Sequence, residues 1–290
     1  MKIILSRKGL DSSSGGFPSP ILPDNRLCWI PIPDESPKNV TYSKLKNGNL
    51  NIGDIAADLS NGNIAPYDYC HLDPDLVKSY NKRTNDWRGA FGQCSVAQSH
   101  LDSNMVGVGD LFLFFGWFRK AEFVGEHWRF VKTAPHVHVI FGWLQINEKY
   151  RLNSEWRRVP KYCQGHTHYL NRQYYSEFFN NNTLFLGANR LSLQKTSQNV
   201  SGYGHFTYFN PSLCLTAEKS LKRGLWELPS WFYPTEEKKP LSYHGDIKRW
   251  TKKGNTVLMQ SVGRGQEFIL DCDYYPEAIN WAFNLINQNQ

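Results

Sequence analysis

The sequence contains no stretch near the ~18 consecutive apolar residues that a membrane-spanning helix requires, which excludes such a span. It contains no Cys-x-x-Cys pair. Its six cysteines, Cys28, Cys70, Cys94, Cys163, Cys214 and Cys272, are scattered without framework spacing, which argues against a disulfide scaffold or a zinc ribbon. No Gly-Lys-Ser/Thr closes a glycine-rich loop and no Rossmann fingerprint is present, so the familiar phosphate and dinucleotide cradles are missing. The zinc-deaminase signature, His-x-Glu with Pro-Cys-x-x-Cys, is absent too. There is no tandem repeat and no low-complexity tail. The start, Met1-Lys-Ile-Ile-Leu-Ser-Arg-Lys, lacks the length and cleavage site of a signal peptide. Reduced thiols and a cytoplasmic location are therefore expected.

What is present is basic and rich in aromatic rings. Lys and Arg number 33 against 26 Asp and Glu, a formal charge of +7 that favours a polyanionic partner without naming one. Aromatic residues make up 14% of the chain, more than a routine core load. Most must be core, because each ring buries a large apolar area; some are candidates for stacking on nucleobases.

The segmentation predicts a mixed α+β fold with more strand than helix, a strand-rich sheet with flanking helices. Residues 1–290 are read as a single compact domain. Ile3-Ile4-Leu5 reads as a buried first strand ending in a loop, Gly9-Leu-Asp-Ser-Ser-Ser-Gly-Gly. Prolines from Pro18 to Pro37 bar helix and central strand, so loops and edge strands are expected to about residue 65. A short helix over 74–80, capped by Asp73, and another over 92–100, opening at Gln93, are predicted. Two aromatic strands, at 111–118 and 136–146, share Phe-Gly-Trp and are expected to pair antiparallel. Further strands are read at 183–187, 205–209, 256–260 and 268–271, with a closing amphipathic helix over 275–286.

Several segments together resemble the third of the nucleotide-modification-associated domain families. They are the start through Gly16 with Pro18-Ser-Pro-Ile-Leu-Pro-Asp, His71-Leu-Asp-Pro-Asp-Leu, Phe91-Gly-Gln, Gly107-Val-Gly-Asp-Leu-Phe-Leu-Phe-Phe-Gly-Trp-Phe, His138-Val-Ile-Phe-Gly-Trp-Leu-Gln-Ile and Gln260-Ser-Val-Gly-Arg-Gly-Gln-Glu-Phe. The resemblance runs nearly end to end. It implies an association with modified DNA in phages and bacteria, and for some members the excision of bulky modified bases in anti-phage defence. It carries over no catalytic residue. The stretch 106–147 is also similar to barrels of the PUA-like class, which would form a substructure over 91–150.

Five constellations can carry chemistry. In the first loop, Arg7, Lys8, Ser12 and Ser13 can approach a phosphate or base, and Asp11 can stabilise positive charge developing on a sugar; the bland alternative is an Asp bonding its own turn. In Val262-Gly-Arg-Gly-Gln-Glu, Arg264 can grip a phosphate, Gln266 can read a base edge and Glu267 is a second carboxylate; a plain surface turn explains the same residues. His71 beside Asp73 suits acid–base work, or a helix cap with a satisfied histidine. Cys163, His166 and His168, with His136 and His138, lack zinc-type spacing, so no metal is expected; a His-x-His pair on a strand accounts for two of them. Finally Phe115, Trp117 and Trp143 can stack on an extruded base, with Gln93 at the opening of its helix, or simply fill the core.

These parts favour a DNA glycosylase that flips out a modified base and hydrolyses its bond to deoxyribose, without cofactor or membrane. Lys8 is available as a lyase nucleophile. A modified-base reader without catalysis, and a transferase using a nucleotide-sugar donor, are the alternatives.

Overall fold

The computed structural model describes residues 1–80, 83–193, 196–197 and 199–290. Six strands form the main path of a nine-stranded mixed sheet: β1 (Lys2–Arg7), β2 (Ala90–Gln93), β3 (Leu111–Val124), β4 (Val137–Arg151), β5 (Thr183–Gly187) and β6 (Glu267–Asp271). Their spatial order is β6-β1-β3-β4-β5-β2. Short strands at Ser19–Ile21, His127–Phe130 and Tyr203–His205 join β3 and β4 along their lengths.

β1 is central. It runs parallel to β3, with Leu5 opposite Leu113, and antiparallel to β6, with Leu5 opposite Phe268. Ile3, Ile4, Leu5 and Ser6 are all buried, as a strand covered on both faces requires. On one face Phe91, Phe112, Phe114 and Phe185 pack edge-to-face and stacked. Phe115, Trp226 and Phe268 pack together in a second aromatic cluster. Each such ring contributes about 1.5–3 kcal/mol of burial. The helix Glu277–Gln288 adds Ala278, Ala282, Leu285 and Ile286 to the same core.

The two aromatic strands pair antiparallel as expected, Val137 opposite Phe118 through Gln145 opposite Leu111. β4 then leaves β3 and pairs its second half with β5. Gly116, in the first Phe-Gly-Trp, is needed for a close approach: a Cβ there would sit 2.9 Å from the Lys8 carbonyl oxygen. Side chains at this point would push away the loop that carries the first candidate site.

Four expectations are corrected. Among the described residues, 106–147 form two long strands of the open sheet, and no barrel closes. Residues 52–59 form a helix (Ile52–Leu59): the prolines flank this segment without entering it, Asn51 caps Gly53 N–H, and Ile52, Ile55, Ala56 and Leu59 share a buried face. Over 74–80 only Lys78–Tyr80 make a helical turn, of the 3₁₀ type, because the Asp73 carboxylate is drawn inward to the Gly92 N–H and does not cap it. Gln93 ends β2, and the helix begins at Ser95 (Ser95–Ser103). The strands 183–187 and 256–260 match to the residue. No helix among the described residues is long and apolar enough to cross a membrane, and all six cysteines are free.

Candidate functional site

The end of β1 delivers Arg7 and Lys8 to a place where several distant chain segments meet. Arg7 is fixed by its guanidinium, which donates to the carbonyl oxygens of Gly263 and Val262 at 2.9 Å each. Lys8 Nζ pairs with Glu267 Oε1 at 3.0 Å and lies 4.6 Å from the centre of the Phe91 ring. Glu267 is 1% exposed. Its Oε1 also accepts from Gln93 Nε2 at 2.6 Å, while Oε2 has no hydrogen-bond partner among the described residues. A buried carboxylate is tolerated only when paired, so Lys8 and Gln93 account for its presence.

Asp11 closes its own turn. Its Oδ1 accepts from Ser13 N, Ser13 Oγ and Ser14 N at 2.7–2.8 Å, an arrangement that makes the loop rigid. Its Oδ2 takes no hydrogen bond among the described residues. Arg223 donates to Ser12 Oγ at 2.8 Å and lies 4.0 Å from the Trp117 ring centre. Burial pulls the Arg7 guanidinium below its ordinary pKa, Asp11 opposes that, and Arg223 adds to the fall. Both stay cationic, so two desolvated guanidinium groups stand close without a carboxylate bound to either. That is a site for an anion.

His71, Asp73 and His168 form a third group. Asp73 Oδ1 accepts from Gly92 N–H at 2.9 Å and lies 3.2 Å from His166 Nε2. Asp73 Oδ2 faces His71 Nε2 and His168 Nε2 at 3.9 and 3.8 Å. Burial alone would raise the Asp73 pKa, but the His166 contact and the neighbouring imidazoles override it and bring it down to about 2. Burial lowers His168 to about 3, against the pull of Asp73, so its ring is neutral. Gly92 makes room for that ring: a Cβ there would lie 2.2 Å from His168.

Two clefts meet on this scaffold. The first, about 320 Å³, is lined by Lys8, His71, Asp73, Gln93, His168 and Gln266 among others. The second, about 480 Å³, is lined by Ser12, Ser13, Trp117, Arg223 and Gln260. Arg7, Asp11 and Gly263 line both and form the wall between them. Tyr175 links the first cleft to a cavity of about 1020 Å³ that also holds Asp34, Tyr67, Tyr69, Asn171 and Tyr174.

Most of the residues singled out in the sequence therefore converge: Arg7, Lys8, Asp11, Ser12, Ser13, His71, Asp73, Gln93, Trp117, Gln266 and Glu267. Three do not join them. Phe115 (0% exposed) and Trp143 (3%) are packed in the core, Trp143 against Phe206, and neither offers a ring to a cleft. Arg264 is exposed and lines neither cleft. The His166-Thr-His168 pair sits at the start of a short helix (Thr167–Leu170), where His166 caps His168 N–H, and not on a strand. Cys163 is directed to the Arg88 carbonyl oxygen, away from that group. Sequence reasoning missed His168 as a partner of His71, and it missed Arg223, Asp34 and Tyr175. The His-x-His spacing was a visible signal for His168; nothing marked the other three.

A family model described as nucleotide modification associated domain 3 matches residues 2–271. No curated protein and no solved structure matches the chain. The matched span includes every segment that builds the two clefts, from Arg7 to Glu267. The chain belongs to the nucleotide modification associated domain 3 family, with a role associated with nucleotide modification.

Proposed function

We propose that this protein is a DNA glycosylase that swings a bulky modified base out of the strand and hydrolyses its bond to deoxyribose. The observation that carries the reading is the position of Asp11, on the wall shared by a cleft of hydrogen-bonding groups and a cleft of arginines. An extruded base fits the first cleft, where Gln266, oriented by Gln93, offers its amide to the base edge. The large cavity beyond Tyr175 has room for a substituent such as a sugar. Arg7 and Arg223 would hold the phosphate next to the flipped nucleotide, with Trp117 as a ring beside it. That leaves the sugar at the wall. As the bond from C1′ to the base breaks, its electron pair leaves with the base and positive charge builds on the sugar ring. Asp11 stabilises that charge and takes a proton from the water that attacks C1′. Glu267, held by Lys8 and Gln93, positions Lys8 and the amide; its burial keeps it from the sugar.

A reader without catalysis gains support from one observation: Asp11 Oδ1 is fully used by its own turn. The two readings part in one experiment. The protein is incubated, without added cofactor, with unmodified DNA and with DNA bearing glucosylated pyrimidines, and both are then treated with alkali. Alkali-labile abasic sites confined to the modified DNA are the expected result. Tight binding with no such sites would replace the glycosylase by the reader, and activity appearing only with a sugar nucleotide would replace it by a transferase.

A further inference from the structure

We infer that His71, Asp73 and His168 form a binding site for one divalent transition-metal ion, opening into the first cleft. The case rests on where the protons must be. His71 Nδ1 lies 3.0 Å from Asp34 Oδ2, an oxygen that can only accept, so in the neutral ring Nδ1 carries the hydrogen. His168 Nδ1 lies 2.7 Å from Asn182 Oδ1, and the Asn182 amide nitrogen is committed to the His168 carbonyl oxygen, so here too Nδ1 donates. Each ring therefore presents a lone pair at Nε2. His166 is set the opposite way: its Nδ1 accepts from His168 N–H, which puts its hydrogen on Nε2, toward Asp73 Oδ1.

Asp73 is divided accordingly. Oδ1 accepts from Gly92 N–H and lies 3.2 Å from His166 Nε2, while Oδ2 is left facing two nitrogen lone pairs with no proton to share. At 3.8–3.9 Å those gaps are too long for hydrogen bonds. They lie within about half an ångström of the ~3.4 Å that separates neighbouring ligand atoms around a tetrahedral ion with bonds of ~2.0–2.2 Å. All three ligand atoms fall within 4.8 Å of one another. The outer contacts are those a metal site needs: a carboxylate on one imidazole and an amide on the other, fixing tautomer and ring direction. Stacking of Tyr175 on His168 at 4.6 Å, with Gly92 close by, locks the second ring.

Two nitrogens and one carboxylate oxygen suit zinc or ferrous iron, not magnesium or calcium. Three protein ligands leave coordination positions open, and all three residues line the cleft. The ligands of one ion come from residue 71, residue 73 and residue 168, a spacing outside the usual zinc patterns. In this reading His71 and Asp73 hold an ion; they do not shuttle protons. The inference does not rest on the glycosylase reading, because its test uses no DNA.

The full chain is stripped with a chelator and titrated anaerobically with Zn²⁺, Fe²⁺ and Co²⁺, with Mg²⁺ and Ca²⁺ as controls. Stoichiometry is read by elemental analysis and geometry by the visible bands of Co²⁺. One ion per chain is expected for the transition metals, with the tighter of Zn²⁺ and Fe²⁺ identifying the resident ion. His71→Ala should weaken binding by at least about 100-fold. Asp34→Asn, which leaves all three ligands in place, should weaken it by about 10-fold or more, with circular dichroism confirming that both variants are folded. No uptake by the parent chain, or uptake unchanged in both variants, would overturn the assignment.

Discussion

The two clefts that meet at Asp11 are built from opposite materials. In the first, the polar side chains are held in place by one another: Lys8 by Glu267, Gln93 by Glu267, His71 by Asp34, His168 by Asn182. In the second, the two arginines bond, among the described residues, only to neutral oxygens and keep their charge free for a ligand. The difference teaches what each can offer. A cleft of braced groups holds fixed directions for a ligand of defined shape; a cleft of uncompensated cations attracts an anion and discriminates little.

The comparison breaks most visibly at the Lys8–Glu267 pair. Lys8→Met leaves Glu267 buried without its cation and should cost about 3–5 kcal/mol in denaturant unfolding. The double variant Lys8→Met with Glu267→Gln should recover most of that loss. Equal instability of single and double variants would show that the pair is not the organising contact. Next comes the wall. Asp11→Asn should lower base release about 10²–10³-fold with DNA affinity nearly kept, as measured by alkali-labile sites per unit time; an unchanged rate removes Asp11 from the chemistry.

A smaller effect is expected from acid. His244 donates from Nδ1 to the Ser242 carbonyl oxygen and accepts Val262 N–H at Nε2, and so braces the turn that holds Arg7. Burial lowers its pKa to about 4; the Ser242 bond opposes this, and Arg249 and Arg7 add to the fall. Buried His138, an acceptor for Trp226 Nε1, is lowered as well by burial, then Arg7 and Arg223. The unfolded chain takes up these protons near pH 6.5 while the folded chain does not, so stability is full above that pH and drains away as pH falls toward 4. His244 alone accounts for up to about 3 kcal/mol. Melting temperature against pH should show the slope, and His244→Asn should flatten it. The smallest change belongs to the second cleft: Arg223→Ala should weaken DNA binding evenly across modified and unmodified strands and reduce the salt slope by about one. A loss confined to modified DNA would move base recognition into that cleft.

The sheet was largely legible because its signals are local. Thr183–Gly187 and Thr256–Gln260 are short apolar runs between turn residues; the first is buried throughout, and the second alternates buried with half-buried residues as a strand with one covered face does. The helix Ile52–Leu59 was hidden by its proline-rich surroundings, although its own eight residues contain none. Within the site, the individual residues were recognisable by type, but their meeting was not. Asp73 looked like a helix cap because the residues that claim its carboxylate, Gly92, His166 and His168, lie far along the chain. Phe115 and Trp143 could not be told from stacking rings because alternation along a strand gives two faces without saying which is covered. Arg223 has no local mark at all; it becomes significant only beside Trp117 and Ser12.

β1 takes its two neighbours from residues 111–115 and 267–271, so its end is flanked by parts made long after it. During synthesis the ribosome adds Glu267 259 residues after Lys8. Until then Lys8 has no counter-ion and Arg7 no carbonyl oxygens to bind. A nascent or truncated copy ending before that turn carries the loop with Asp11 but leaves Arg7 unanchored, so the wall between the clefts forms only once synthesis has passed Glu267.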